Sequence, residues 1–492
     1  MKKAFVVLGI LFLFPGMSSA DFSSNALISY LTGIPTLSDS LFGNTADYEH
    51  PALLSRDISP YIEFGGNSQE VLRSLKGQGK RVNHGLLSAG LNYPLIANKA
   101  GMYISYSDNR SSITWPFSKK RIRAIDAYNS GSLCVSGYVL AQDRFRAGAT
   151  LGKRFSNGNS GSLKVFEFSG RLPRWGGSLR YFNIPYEWEI DLNYENITKP
   201  ISSQLRHSGL EGELSYSLPK SIKITISGGK GDIDTSEQFR GVPNKHAQVW
   251  NFGNDRWRAT MQNARFFGTI LDVSYGEDTL SGELDLWYNG DQFMRGDLDG
   301  ITQRFECGVL FDSVPRYIPY IRYDRVSTDL AISRGIVDSW PFTPKQIEII
   351  GDKTWTFSGT GRIVSNSGTF LWKPTPQSRL AVSFVRAHPD YRLRITTRSH
   401  LVIDPWEMLF GKRRIETDRT RYYDFALLSY GKSVTFGLFS IEFSLSQFIP
   451  IQHSKKPKPG LKPPPPSRPK LRFEKPSYLG GFSFEVKGKL FI

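Results

Sequence analysis

The stretch Gly480 to Ile492, GGFSFEVKGKLFI, constrains what this chain can fold into more than any other. Phe482, Phe484, Val486, Leu490 and Ile492 fall at every second position, with Gly488 the one gap among them. Ser483, Glu485, Lys487 and Lys489 fill the positions between. Successive side chains of extended backbone point to opposite sides, so this is a strand with one apolar and one polar face. Such a strand buries its apolar face either against another apolar sheet, as in a soluble sandwich or propeller, or against hydrocarbon, as in a membrane barrel.

The period of two recurs from Tyr61 onward. Leu87, Ala89, Leu91 and Tyr93 form one stripe, and Met102, Ile104 and Tyr106 another. Phe145, Ala147, Ala149 and Leu151 oppose Arg144, Arg146, Gly148, Thr150 and Gly152. In YEWEIDLNYE, Trp188, Ile190, Leu192 and Tyr194 oppose Glu187, Glu189, Asp191 and Asn193. Leu210, Leu214, Tyr216 and Leu218 follow the same rule, as do Ile222, Ile224 and Ile226. Leu280, Leu284 and Leu286 oppose Glu283 and Asp285, and Phe357 and Ile363 oppose Arg362. Near Leu438-Phe439 the phase slips, as a β-bulge makes it do. The segments exceed the five or six residues usual in soluble sheets, and no repeat of propeller length is present. The expected fold is therefore all-β: a transmembrane antiparallel β-barrel over residues 61–492, of about 16 strands with a range of about 14 to 18.

The N-terminus fits an exported chain. Lys2 and Lys3 precede an apolar run from Ala4 to Pro15, and Ser18-Ser19-Ala20 forms a small-residue cleavage site. That three-part layout predicts a signal peptide over residues 1–20. No later stretch offers the 18 apolar residues of a spanning helix. Mean hydropathy is negative, but this does not oppose a barrel, whose strands are apolar only at alternate positions. An aromatic fraction of 13% and 46 glycines suit aromatic girdles and tight turns.

Residues 21–60 do not alternate and are expected to form a periplasmic or lumen-plugging leader. Within them, HPALLSRDISPYIEF (His50–Phe64) resembles the NPA-type segment before the first strand of outer-membrane transporters of long-chain fatty acids, with His50 in place of that family's Asn. The resemblance spans fifteen residues and implies a transporter of hydrophobic compounds with the leader as plug. More broadly the chain resembles Gram-negative outer-membrane barrel proteins. Those commonly end in an aromatic residue, whereas this chain ends in Ile492 with Phe491 on the opposite face.

Formal charge is +17, which favours anionic partners such as lipid phosphate, lipopolysaccharide, anionic solutes or acidic glycans. Nucleic acid is not expected for an exported barrel. A charge facing lipid at the midplane costs about 2 to 4 kcal/mol, so charges opposite an apolar stripe should line the lumen. On that rule Arg144, Arg146, Lys223, Arg304, Arg322, Arg362, Glu187, Glu189 and Asp191 are the lumen-lining, ligand-binding candidates. Rings of basic side chains favour anion entry, and mutual ion pairing of the same groups would instead pack the interior.

Connectors are expected at about 111–127, 229–263, 327–352, 388–421 and 453–477. The last is a basic, proline-rich loop of extended polyproline character. The seven histidines are scattered, without metal-ligand spacing, and no nucleophile or phosphate-loop motif is present. Neither enzyme chemistry nor a cofactor is expected. Cys134 falls opposite Leu133 and Val135, whereas Cys307 shares the stripe of Phe305 and Val309. Sulfurs on opposite sides of a wall cannot bond, so two free thiols are expected. The resulting reading is an outer-membrane channel or transporter favouring anionic solutes or acidic polysaccharide. The alternatives are a hydrophobic-compound transporter and a non-conducting surface assembly or adhesion barrel.

Overall fold

The computed structural model describes residues 60–73, 79–96, 99–116, 122–141, 144–156, 159–194, 197–239, 247–288, 291–311, 320–337, 353–375, 377–399, 414–420, 423–451 and 481–491. The expected signal peptide, leader and proline-rich loop lie outside them. The strands in chain order are β1 (Tyr61–Arg73), β2 (Gly79–Ile96), β3 (Ala100–Pro116), β4 (Ile122–Ala141), β5 (Phe145–Ser156), β6 (Asn159–Arg171), β7 (Trp175–Tyr194), β8 (Ile197–Ser217), β9 (Lys223–Phe239), β10 (Ala247–Phe266), β11 (Thr269–Tyr288), β12 (Asp291–Phe311) and β13 (Tyr320–Val337). They continue with β14 (Lys353–Thr375), β15 (Ser378–Ser399), β16 (Arg414–Thr420), β17 (Tyr423–Phe436), β18 (Phe439–Ile451) and β19 (Gly481–Phe491).

Each strand pairs antiparallel with its neighbour, and β1 pairs β19, which closes the sheet. β15 pairs β16 over one half and β17 over the other, so these two pieces share one position in the wall. The result is an 18-stave barrel, at the top of the expected range. The β15–β17 ladder ends at Ala387 and the β15–β16 ladder begins at Asp390, so neither takes in His388 or Pro389, and proline has no N–H to give one. The other prolines inside described strands obey the same rule. Pro94, Pro116, Pro185, Pro200, Pro374 and Pro450 each lie where one flanking ladder has ended or shifts register.

The sequence-predicted stripes face outward over a band. Leu133 and Val135, Leu151, Phe166 and Phe168, Leu179 and Tyr181, Leu210 and Leu214, and Ile226 are all exposed. So are Trp257, Tyr275, Tyr323, Phe370 and Phe384. Trp175 to Tyr181 covers seven residues, about 23 Å of strand, close to the ~25 Å apolar band of a membrane barrel. At the next outward positions the surface turns polar: Lys153, Lys164, Asn183, Arg206, Lys230, Asp255, Arg325, Asn366 and Arg386. Here the hydrocarbon ends.

Both ends of the wall, Tyr61 and Phe491, lie on one side, and the connections on that side are short. They include the two-residue turns at 267–268 and 437–438. Phe267 and Gly268 both have positive φ, at 46° and 76°, the conformation a tight hairpin turn of right-handed strands requires. Short turns on the side that holds Tyr61 and Phe491 match periplasmic turns of such barrels.

Inside, the staves are joined by hydroxyl pairs lying directly opposite each other. Ser136 meets Thr150 at 2.8 Å, Thr302 meets Thr328 at 3.2 Å, Thr369 meets Ser383 at 2.8 Å, and Ser446 donates to Ser429 at 2.9 Å. Each satisfies a buried polar group across a strand boundary. Toward the short-turn end Tyr61, Tyr103 and Tyr138 form a buried inner cluster, and Tyr103 donates to Tyr61 at 3.2 Å. The Tyr103 and Tyr138 rings lie over Gly90 and Gly101, where a Cβ would meet their hydroxyls at 2.1 and 2.3 Å.

Closure is built the same way. Phe64 on β1 lies opposite Gly488 on β19, its ring occupies the space of the missing Cβ, and it stacks on Phe439 at 6.1 Å. The gap in the final apolar stripe is thus filled by a neighbour's ring. On the other face Lys489 sits 4.0 Å from the Tyr61 ring, inward as expected. Cys134 is buried on the inner face, Cys307 belongs to the outer one, and both are free.

Several expected connectors are mostly strand. β9 runs on to Phe239, β10 starts at Ala247, β13 reaches Val337 and β15 reaches Ser399. Most of these extensions lie beyond the apolar band, where both faces meet water or protein and clean alternation is no longer enforced, but β10 from Trp257 onward lies within it.

Two outcomes follow. Leu214→Arg, in the outward band, is expected to lower stability by about 2 to 4 kcal/mol, measured as a shifted urea midpoint for unfolding from vesicles. Gly488→Val should push Phe64 off the seam and abolish the fast-migrating, heat-modifiable form on gels. An unchanged mobility shift would show that the seam does not depend on that packing.

Candidate functional site

Charged side chains on the inner wall form an arc of two ion-paired groups between β7 and β13. Arg180, Glu211, Gly229, Arg256 and Asp278 lie on one line of register across five adjacent strands. Arg180 binds Glu211 at 2.6 Å, and its guanidinium lies 5.2 Å from the Phe182 ring. Glu211 also contacts Arg256, although β9 stands between their strands. Gly229 makes that reach possible, because a Cβ there would come within 2.9 Å of the Glu211 Cγ.

The second half repeats the device. Arg258 on β10 passes Gly276 on β11, directly opposite it, and contacts Glu306 on β12. A Cβ at Gly276 would lie 3.3 Å from the Arg258 Cβ and Cγ. Ser274 accepts from Arg258 at 2.9 and 3.0 Å and donates to Glu306 at 3.3 Å. Arg322 binds Glu306 at 3.2 Å and Asp324 at 2.7 Å, and Arg304 stands 4.0 Å from Glu306. Glu306 is therefore a hub for three guanidinium groups. Paired and hydrogen-bonded charges are tolerable in a partly desolvated wall where a lone one is not.

The candidates expected from sequence divide unevenly. Arg304 and Arg322 belong to the arc. Lys223 faces inward at the start of β9, 4.0 Å from Glu213 and apart from the arc. Arg146 is also on the inner face, on β5, half-buried. Arg144 is not on the wall: it is exposed in the β4–β5 turn, where its carbonyl accepts the Arg171 N–H. Arg362 faces outward instead of inward, above the apolar band, 3.4 Å from Asp329. Glu283 likewise keeps the outward phase of Tyr275. The side chains of Glu187, Glu189 and Asp191 lie outside the described residues.

The inversion at Arg362 has a simple cause. Outside the bilayer the exterior is water, so an apolar stripe turns inward and its polar partner outward. The rule that charges line the lumen holds only inside the apolar band. Conversely, the sequence reasoning missed Arg180, Glu211, Arg256, Arg258, Asp278, Glu306 and Asp324. The signal was present, as charges flanking an outward aromatic: LRY, RWR, FEC and RYD around Tyr181, Trp257, Phe305 and Tyr323. Arg256 and Arg258 were lost because residues 229–263 read as a connector.

No protein-family model matches the chain, and no curated protein matches it. Among solved structures, the unliganded ferric citrate transporter FecA aligns at 8% identity and a TM-score of 0.41, covering 88% of this chain and 78% of that one. CdiB from Acinetobacter baumannii aligns at 10% and 0.37, covering 88% of this chain and 60% of that one. The outer membrane transporter YddB from Escherichia coli aligns at 9% and 0.32, covering 87% and 80%.

Glu306→Gln removes the charge that three arginines share. It should cost about 3 kcal/mol in the vesicle urea assay, and Arg322→Met in the same chain should recover part of that loss. If the single substitution is neutral, the arc is not a structural network.

Proposed function

We propose that this chain is an outer-membrane channel whose ion-paired arc selects among polar solutes and favours anionic ones. The observation that carries the reading is the arc itself. Charges that a soluble protein would leave in water are here gathered on the inner faces of β7 to β13. Among the described residues the arc holds five arginines (180, 256, 258, 304 and 322) and four carboxylates (211, 278, 306 and 324). It therefore carries a small basic excess with several guanidinium forks. Carboxylate and phosphate fit those forks in two-point geometry, so an acidic solute can exchange onto them from Glu211 or Glu306. The low dielectric of the wall strengthens that exchange relative to open water. An acidic polysaccharide offers the same groups in series.

The even stave number, the short turns on the side of Tyr61 and Phe491 and the secretory character of residues 1–20 support an outer-membrane setting.

The test is single-channel recording in planar bilayers under a salt gradient. The parent is expected to conduct with chloride more permeant than potassium, and Arg304→Glu to reduce that ratio several-fold. A cation-selective or silent parent overturns the reading, and silence would favour a closed assembly barrel.

A further inference from the structure

The arc leaves a second set of inner cations unexplained. Arg146 is the second residue of β5, Arg171 the last of β6, Arg265 the next to last of β10 and Lys373 the third from the end of β14. All four therefore stand at the short-turn end of the wall. Register puts them on its inner face. Arg146 lies opposite Ser169, which is two residues before Arg171 and in its phase. Arg265 lies opposite Ile270, in one row with Leu310, Tyr320 and Leu371, and Lys373 is the next inward position after Leu371. That row faces inward because the Tyr320 ring covers Gly308, the register partner of Arg322.

What separates these cations from the arc is the absence of carboxylates. Arg180, Arg256, Arg258 and Arg322 each contact one. Among the described residues, Arg146, Arg171, Arg265 and Lys373 make no ion pair. Glu213, Glu63 and Asp272 also stand near this rim, but their positions match other groups. Glu213 is 4.0 Å from Lys223, Glu63 lies opposite Lys489, and Asp272 accepts the Asn263 N–H at 2.8 Å. Lys373 instead faces a like charge, Arg379 at the start of β15. Unpaired cations gathered at one mouth repel each other, so they add nothing to the stability of the wall. Arg171, Arg265 and Lys373 are exposed and Arg146 is half-buried, so a solute can reach them.

Their spacing says what kind of solute. From β6 to β10 and from β10 to β14 there are four strand steps each, about 19 Å at the spacing of paired strands. A single carboxylate cannot bridge such a gap, whereas a chain with a charge on each sugar meets several stations at once. The cations line the inside of the mouth from β5 to β14 and do not form a flat patch on its rim. The anion they fit therefore lies along the barrel axis.

We propose that the short-turn mouth is a capture collar for a linear acidic polysaccharide, which enters from that side and passes on to the ion-paired arc. The proposal rests on the anion-favouring reading above and deepens it, naming a charged chain in place of a single solute. At the collar the acidic groups pair with guanidinium forks in two-point geometry. A mouth lined by one sign of charge focuses the field and raises the local concentration of its counter-ion. Several weak contacts on one chain then combine into tight capture. Further in, the guanidinium groups of the arc already hold carboxylates, so the chain meets sites of exchange there.

The test is equilibrium binding to the full chain in nanodiscs, followed by the anisotropy of a fluorescein-labelled galacturonic acid octamer. Binding should be saturable, and free galacturonate should compete only at about a hundredfold higher carboxylate concentration or more. Arg146→Gln, Arg171→Gln and Lys373→Gln together should weaken octamer binding at least about tenfold. Lys153→Gln, Lys164→Gln and Lys432→Gln remove the same net charge from the outer face and should leave binding unchanged. Folding of both variants is checked by heat-modifiable migration. No saturable binding, galacturonate competing equally per carboxylate, or equal losses in the two triple variants would each overturn the collar. The last of these would indicate an acidic partner lying across the outer rim instead. The competition needs no substitution, so it decides the question even if a triple variant does not fold. Conductance is read separately: a silent barrel that binds the octamer overturns the channel and leaves the collar standing, and an anion-conducting barrel that ignores the octamer does the reverse.

Discussion

In hydrocarbon there is no water to satisfy a peptide group, and every other feature of this molecule follows from that condition. A strand crossing the membrane must give its N–H and C=O groups to two neighbours, so the sheet cannot end and must close. The β1–β19 ladder from Tyr61 and Phe491 to Gln69 and Ser483 removes the edge. Its packing is arranged for close approach, with the Phe64 ring over Gly488. The seven prolines inside described strands mark where the condition relaxes. Each sits where a flanking ladder has already stopped or shifts, which is the only place a residue without an N–H can stand in such a wall.

Once the backbone closes the wall, the side chains are sorted by solvent. Outward positions in the band are Leu, Phe, Tyr, Trp, Ile and Val because lipid surrounds them. Inward positions carry hydroxyls and charges because no lipid reaches them, and the enclosed geometry lets those groups find partners. The paired hydroxyls and the arc from Arg180 to Asp324 are two forms of that satisfaction. Glycines 229 and 276 have a specific part in it. Each lies between a carboxylate and a guanidinium on strands that are not neighbours, and the absent side chain is the passage through which they meet.

The short β5–β6 hairpin shows what happens when the wall is not filled. β4 and β7 converge to pair above it, Ile122 to Ile125 with Tyr194 to Asp191, and between hairpin and bridge the β4–β5 and β6–β7 ladders have ended. Such an interruption is stable only where polar surroundings or protein can satisfy the edges.

The sequence by itself determined the all-β class, the strand faces within the band and the separation of Cys134 from Cys307, because a period of two is a local property of extended backbone. It placed Arg304 and Arg322 inside for the same reason. It could not say where the band ended. Arg362 and Glu283 alternate with apolar residues as regularly as Arg322 does, yet face outward, because the sign of the pattern depends on whether lipid or water lies outside at that height. Only the tertiary structure fixed that height, the 18 staves, and the partners of Arg256 and Arg258. Register between strands, unlike alternation within one, is set by contacts among residues far apart in the chain.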